Sequence, residues 1–377
     1  MGARVHVGPL LPREPGRDPA RGRGASRVSH GSTSGVFQKL KVPLIALKIV
    51  LSFALFGYVI AKVSPRNVWD TMKSADPMLI AAAAGLFLTS SLIGSWLWAR
   101  LLRAQGVSIP YPKAASYYFV GLFFNNFLPS NVGGDIARIS DAAKHAEHVS
   151  PVFSATLMDR LIGVLAIGLL AVVASVAVID RLHLYAIYWG VLIVFLVAAA
   201  LFASVFNRNI LEAFERPFRA VGAHKIERAI ARLMDDLHGF RSERGALLAA
   251  FAASTLVQIS RIYVHYLIGL SLGVRISLAY YFLFVPVLAA LISLPISLNG
   301  IGVREGAAVV LFQLAGLTRE QSFSIPFLTY ILSVLISLLG GLIFISRSPR
   351  RAIGKHLRRR KLARASERGA TPGEGRA

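Results

Sequence analysis

The sequence lacks cysteine and is poor in charged residues. Without cysteine, disulfide bonds, thiolate catalysis and cysteine-containing zinc sites are excluded. Charged residues make up 16% of the 377 residues, whereas ordinary globular domains carry roughly 25%. Hydrophobic residues make up 55%, and the mean hydropathy is +0.58. So much apolar surface needs lipid, which indicates an integral membrane protein rather than a soluble enzyme.

Acidic residues are scarce beside basic ones, and the formal net charge is +23. The basic residues stand at the chain ends and between apolar runs rather than along one face of a folded domain. We therefore expect no nucleic-acid partner. The glycine spacing of GIGVREG (300–306) does not match a dinucleotide fingerprint, and neither a cofactor nor a metal is predicted.

Several apolar segments are long enough to cross a bilayer core of about 30 Å. They cover residues 43–63, 78–99, 159–179, 185–206, 246–272 and 325–346. Two further apolar regions, 116–135 and 278–316, are interrupted by Asn, Pro and Gly. The sequence thus predicts an all-α integral membrane protein with six full spans and two re-entrant broken-helix hairpins, or about eight transmembrane segments.

The positive-inside rule orients these segments. If both termini are cytoplasmic and both hairpins re-enter, the cytoplasmic segments hold 32 of the 42 Lys and Arg residues. A single crossing by 116–135 would instead place the eight basic residues of 207–245 outside. The re-entrant threading is therefore favoured, although two short crossings in each broken region would give the same orientation.

The predicted organisation is a transmembrane domain between two basic tails. The disordered cytoplasmic tail 1–40 precedes the domain 41–346, and the cytoplasmic tail 347–377 follows it. Segments 43–179 and 185–346 each consist of two spans, a broken hairpin and a span, and three crossings per half would invert the second half. Interrupted segments at corresponding positions of inverted halves indicate a substrate site at the membrane midplane of a transporter.

Each hairpin tip is expected to face inward, because irregular backbone at membrane depth must be buried in protein or line a cavity. A short helix is predicted to begin near Gly134 and another near Val303. Their unpaired N–H groups and helix dipoles would suit an anion such as a lipid phosphate. The alternative is that Asn131, Asp135 and Asn299 only cap helices and form turns.

A polar stripe runs along the predicted span 246–272. It consists of Ser254, Gln258, Arg261 and His265. Spacings of three and four residues place these side chains on one helical face, which we expect to look into the bundle. Arg261 needs a partner near the middle of the span, and Asp135, Asp159 or Glu305 could supply it. A purely structural ion pair is the alternative interpretation.

Further arginines stand close to the predicted site. Arg138 and Arg304 follow the two hairpin tips, and Asp159 and Arg160 begin another span. Arginine can bind a phosphate through two hydrogen bonds, as lysine cannot. An acid at the start of a helix is ordinary, however, so Asp159 alone is weak support for a site.

Three motifs together resemble a known family. They are FFNNFLPSNVGGDIAR (123–138), MDRLIG (158–163) and PISLNGIGVREGA (295–307). In that order in a multi-span chain they are similar to the lysylphosphatidylglycerol synthase transmembrane region family, also called flippase-like domain proteins, over about 40–346. The resemblance implies a membrane domain that moves lipids or lipid-linked molecules between leaflets. Bifunctional members add a soluble aminoacyl-transfer domain, but only 31 residues follow residue 346, so the synthase activity is not carried over.

The resemblance also implies which residues form the translocation site. In the first motif they are Asn125, Asn126, Pro129, Asn131, Gly133, Gly134, Asp135 and Arg138. In the second they are Asn299, Gly300, Gly302, Arg304 and Glu305. With Asp159, Arg160, Gln258 and Arg261, these residues make up the predicted substrate site, apart from Pro129, which belongs only to the motif.

The leading hypothesis is a flippase or transporter in a bacterial inner (plasma) membrane, with both termini cytoplasmic. Its substrates would be membrane phospholipids, anionic or aminoacylated, or a lipid-linked headgroup. One alternative is a membrane-embedded lipid-modifying enzyme using Asp135, Asp159 or Glu305 as acid or base, although no nucleophile–base spacing is visible. The other is a non-transporting partner subunit of an envelope enzyme.

A reporter fused after Arg241 tests the threading. We expect cytoplasmic activity, because the positive-inside rule keeps the basic stretch 207–245 in the cytoplasm. Paired cytoplasmic and periplasmic reporters measure it directly. A periplasmic signal would overturn the threading, and the inverted repeat with it.

Overall fold

The long apolar stretches form helices because a backbone in lipid must satisfy its own N–H and C=O groups. The computed structural model of the chain describes the residues 50, 54–128, 132–182, 185–207, 224–293, 297 and 300–368. All of them belong to one compact unit, Ile45–Ala377. No β-strand occurs among these residues, and the fold is all-α as predicted. The predicted tail 1–40 lies outside the described residues.

Twelve helices are described along the chain. They are α1 (54–62), α2 (Pro65–Lys73), α3 (Pro77–Ala104), α4 (Tyr111–Phe127), α5 (Gly133–Ala142), α6 (Ser150–Leu182), α7 (Tyr185–Ser204), α8 (His224–Gly239), α9 (Arg244–Ser271), α10 (Leu278–Ser293), α11 (Val303–Leu314) and α12 (Arg319–Arg368). Residues predicted as the tail 347–377 continue α12 as far as Arg368.

Five helices in the described part of the chain are long and apolar enough to cross a membrane. They are α3, α6, α7, α9 and the first part of α12, Arg319–Arg347. Each contains one of the predicted spans or most of it. Of the remaining predicted span, 43–63, the second half is described and forms α1, while most of the first half lies outside the described residues. The chain is therefore a multi-pass helical membrane protein.

Both broken regions fold back on themselves. In the first, Tyr117 near the start of α4 lies 5.9 Å, between ring centroids, from His145, just beyond the end of α5. In the second, Phe312 near the end of α11 lies 5.4 Å from Tyr281 and 5.3 Å from Phe284, near the start of α10. The two arms of each pair are thus antiparallel, which gives the predicted broken-helix hairpins.

Each hairpin is surrounded by its own hydrophobic cluster. Around the first hairpin, Trp98 and Met158 are fully buried, and the Trp98 indole donates a 3.1 Å hydrogen bond to the hydroxyl of Thr156. Around the second, Phe284 and Phe312 are fully buried between α9, α10 and α11. The hairpins are therefore held at fixed positions, a requirement for any site that they build.

Helices of one predicted half pack against helices of the other half, in corresponding pairs. The second spans, α3 and α9, contact each other, while α4 packs on α12 and α10 packs on α6. The first helix of each hairpin thus contacts the last span of the other half. A two-fold relation between the halves would produce this pairing, and the inversion of one half remains a prediction.

The contact between α4 and α12 depends on a glycine. A Cβ atom added at Gly340 would lie 1.9 Å from the backbone oxygen of Phe119. At Gly85 in α3, an added Cβ would meet no atom within 4 Å. Both glycines lie inside long helices, so the effect of an alanine on the backbone should be similar at the two positions. The two positions differ mainly in the space available for the added methyl group.

We expect Gly340→Ala to lower the stability of the purified protein and Gly85→Ala to leave it unchanged or raise it. Overpacking of a tight contact costs about 1–3 kcal/mol, whereas Gly to Ala in an open helix position favours the helix. The measurement is the thermal unfolding midpoint in detergent, compared at equal lipid content. Equal midpoints for the two variants would contradict the tight α4–α12 contact.

Candidate functional site

A cavity of about 520 Å³ lies among helices of both halves. The predicted site residues that line it are Asn125, Asn126, Asp135, Arg138, Asp159, Arg160, Gln258, Arg261 and Arg304. Gly133, Gly134, Gly300, Gly302 and Glu305 do not line it. Asn131, Asn299 and Pro129 lie outside the described residues. The structure thus brings most of the predicted charged residues to one cavity.

The cavity is lined from the middle of long apolar helices. All four residues of the polar stripe on α9, from Ser254 to His265, line it, and α9 runs from Arg244 to Ser271. Phe87 and Leu97 line it from the central part of α3. Because these helices are candidate spans, we expect the polar groups to lie at the depth of the hydrocarbon core.

Alternating ion pairs form one wall of the cavity. Asp135 accepts hydrogen bonds from Arg160 Nε at 3.0 Å and from Arg160 Nη2 at 2.9 Å. Arg138 Nη2 lies 3.0 Å from Asp135 Oδ1 and 2.9 Å from Asp159 Oδ2. The charges of these four residues cancel. Burial of Asp135 and Arg138 is tolerated because each has an oppositely charged partner with good geometry.

The two arginines of this wall have different exposure. Arg138 is only 4% exposed, and its guanidinium lies 5.1 Å from the ring centroid of Trp98 and 5.5 Å from that of Tyr118. The Arg160 side chain is 53% exposed although it is bonded to Asp135. Arg138 therefore holds the wall together, and Arg160 is the one that a ligand in the cavity can contact.

The local sequence at the start of α5 positions Asp135. An added Cβ at Gly134 would lie 1.9 Å from the Gly121 backbone oxygen, so only glycine allows α5 to approach α4 this closely. The Gly134 N–H donates a 2.8 Å hydrogen bond to Asn125 Oδ1. Asp135 then falls in the first turn of α5, where the helix dipole favours a negative charge.

The second hairpin has its own ion pair. Arg304 Nε lies 3.0 Å from Glu305 Oε1, and the other carboxylate oxygen accepts a 2.8 Å hydrogen bond from the Gly302 N–H. Glu305 is fully buried, and the Arg304 guanidinium lies 4.1 Å from the ring centroid of Tyr330. Gly302 has a φ of 82°, which favours glycine. Glu305 thus caps α11 and neutralises Arg304.

The predicted anion-binding N–H groups are used within the protein. The Gly134 N–H is bonded to Asn125, and the Gly302 N–H is bonded to Glu305. α5 and α11 do begin near the predicted positions, at Gly133 and Val303. The donors presented to the cavity are therefore arginine side chains rather than these two N–H groups.

Arg261 differs from the other arginines of the cavity. Within the described part of the chain, its side chain makes no hydrogen bond or ion pair. The acids predicted as its partners, Asp135, Asp159 and Glu305, are bonded to other arginines instead. The predicted pairing of Arg261 is thus absent from this structure, because nearer cations occupy those carboxylates.

Aromatic residues complete the site and were not singled out from the sequence. Trp98, Tyr118 and Tyr330 each place a ring against a buried arginine, which favours a cation by its negative face. Tyr118 lies seven residues before Asn125 on α4, so the two share a helical face. This spacing was the signal in the sequence that could have identified Tyr118 as a site residue. Trp98 and Tyr330 come from distant segments, which no local pattern connects to the hairpins.

Curated relatives are membrane proteins of archaea. A UPF0104 membrane protein of Pyrococcus horikoshii is 24% identical over 296 residues, covering 73% of this chain and 88% of the relative. Another, of Methanothermobacter thermautotrophicus, is 24% identical over 299 residues, covering 74% of this chain and 87% of the relative. The chain is similar to these proteins over nearly their whole length.

The family comparison agrees with the three motifs. The family described as "Lysylphosphatidylglycerol synthase TM region" matches residues 45–341. This range includes both hairpins, the spans described above other than the end of α12, and every residue that lines the cavity. Most of the chain is covered, and the chain therefore belongs to the lysylphosphatidylglycerol synthase TM region family.

Proposed function

We propose that this protein moves polar lipids between the leaflets of its membrane, with the headgroup passing through the central cavity. The observation that carries the proposal is the cavity itself, in which paired charges line a space at the middle of otherwise apolar spans. Ionisable groups at that depth are costly and are retained mainly on substrate or ion pathways. Membership in a family named after a phospholipid synthase supports lipid as the substrate class.

The size of the cavity suits a headgroup. Its volume is about 520 Å³, and small-molecule sites measure roughly 300–1,000 Å³. A glycerophosphate headgroup fits such a space, whereas two acyl chains of a phospholipid do not. The acyl chains would therefore stay in the bilayer while the headgroup crosses.

The helix pairs provide a route for alternating access. α4 packs on α12 and α10 packs on α6, so each hairpin contacts a span of the other half. Rocking of the two halves against each other would open the cavity to one leaflet and then to the other, as in transporters with inverted repeats. Movement would be facilitated or coupled to an ion.

We expect the protein to lie in the plasma membrane with both termini in the cytoplasm, as the positive-inside rule requires. The proposal of a bacterial source rests on the sequence resemblance, while the two relatives described above are archaeal. A lipid-modifying enzyme has less support, because both aspartates that line the cavity are paired with arginines.

Lipid translocation in proteoliposomes tests the proposal. Phospholipids with a fluorescent acyl chain are reconstituted with the purified protein, and quenching of the outer leaflet measures exchange between leaflets. We expect protein-dependent exchange that falls about tenfold in Arg160→Gln and in Asp135→Asn, since each removes a charge-assisted hydrogen bond at the cavity. Asp70→Asn removes an exposed acid of α2 and should exchange like the unmodified protein.

Folding and chemistry need separate readouts in this experiment. Thermal unfolding in detergent shows whether Asp135→Asn is folded, and Arg160→Gln, whose side chain is half exposed, is the variant less sensitive to misfolding. Mass spectrometry of the recovered lipid shows whether its headgroup has changed. Exchange no faster than in empty liposomes would contradict transport, and a new headgroup would favour the enzyme.

A further inference from the structure

The charges around the cavity do not cancel. Its wall holds the cations Arg138, Arg160, Arg261 and Arg304 and the anions Asp135 and Asp159. The two aspartates compensate Arg138 and Arg160, and Glu305 compensates Arg304 from behind the wall. Among the charges that the structure describes at the cavity, Arg261 is thus left uncompensated. The cavity carries one excess positive charge.

An unpaired arginine at this depth is a large energetic cost. Arginine is among the most unfavourable residues to insert at the centre of a membrane helix. Arg261 lies near the middle of α9, and an arginine side chain is a cation with five N–H donors. A structural role would place an acid beside it, as for the three other arginines. Its lack of a partner leaves its donors available to a ligand.

The polar side chains near Arg261 also bring no negative charge to the cavity. His265 lies one turn after Arg261 on the same face, and its ring nitrogen Nδ1 is 2.9 Å from the backbone oxygen of Arg261, so it supplies no negative charge. In the first hairpin, Asn125 Oδ1 accepts a hydrogen bond from the Gly134 N–H, which fixes the amide and leaves its NH₂ group to donate. Both side chains line the same cavity as Arg261.

We infer that the cavity selects headgroups by charge, and that Arg261 is the counter-ion of a phosphate-bearing anionic headgroup. The inference rests on the proposed lipid transport and narrows its substrate class. A phosphodiester with no amino group brings one negative charge and restores neutrality. A headgroup esterified with lysine is net positive and would add to the excess charge, so the site disfavours it.

The selectivity is measured with lipids that share one labelled acyl chain and differ only in the headgroup. Phosphatidylglycerol is anionic, phosphatidylethanolamine is net neutral, and lysine-esterified phosphatidylglycerol is net positive. We expect exchange to fall in that order, with phosphatidylglycerol about tenfold faster than the lysine ester, the scale of one charge-assisted hydrogen bond. Equal rates, or fastest exchange of the lysine ester, would overturn the inference.

Three variants assign the selectivity to Arg261. Arg261→Gln should slow phosphatidylglycerol to the rate of phosphatidylethanolamine, and Arg261→Lys should keep the order because it keeps the charge. Arg103→Gln removes an exposed arginine at the end of α3 and should change nothing. An unchanged headgroup order in folded Arg261→Gln would show that another group sets it.

A binding measurement separates the inference from the transport proposal. Short-chain phosphatidylglycerol should raise the thermal unfolding midpoint of the detergent-solubilised protein, and Arg261→Gln should abolish the rise. This result without any lipid exchange would contradict transport and keep the anion site. Lipid exchange without headgroup preference would support transport and contradict the anion site.

The phosphate could belong to a lipid or to a soluble anion. Uptake of labelled inorganic phosphate and glycerol phosphate into the same proteoliposomes distinguishes them. We expect no protein-dependent uptake of either compound. Arg261-dependent uptake of soluble phosphate without lipid exchange would overturn the lipid assignment.

Discussion

Charge inside a bilayer needs compensation, and the ion pairs of the two hairpins meet this requirement. The alternating set from Asp159 through Arg138 and Asp135 to Arg160 joins the first hairpin to α6. Without it, α5 would carry a buried acid and a buried base with no compensating charge from α6. The cavity can be polar at membrane depth because these pairs compensate the charges that line it, with the exception of Arg261.

Close backbone contact is the second condition for such a site. Charged side chains reach each other because α5 lies directly against α4, and Gly134 allows this approach. A glycine allows the same kind of close backbone contact between Gly340 of α12 and Phe119 of α4. Small residues drive close helix association in membranes, where burial of apolar surface gives little advantage over lipid. Packing and electrostatics are therefore interdependent in this fold.

Much of the architecture could be predicted from the sequence, and the pairing of charges could not. Hydropathy identified the spans, and Pro, Gly and Asn marked both hairpins, because these signals are local. The polar face of α9 followed from helical spacing alone. Which acid meets which arginine depends on contacts between distant helices, so Arg261 was assigned a partner that Arg138, Arg160 or Arg304 occupies. Aromatic contacts such as that of Tyr330 with Arg304 were hidden for the same reason.

The length of α12 has a consequence for the placement of its charges. It runs for 50 residues, or about 75 Å at the α-helical rise, while a bilayer core is about 30 Å thick. Its inner part contacts the first hairpin through Gly340, and its far end is a basic helix. The helix is therefore longer than the core by about 45 Å at that rise, which is enough for its basic end to lie beyond the hydrocarbon while its inner part packs on the first hairpin.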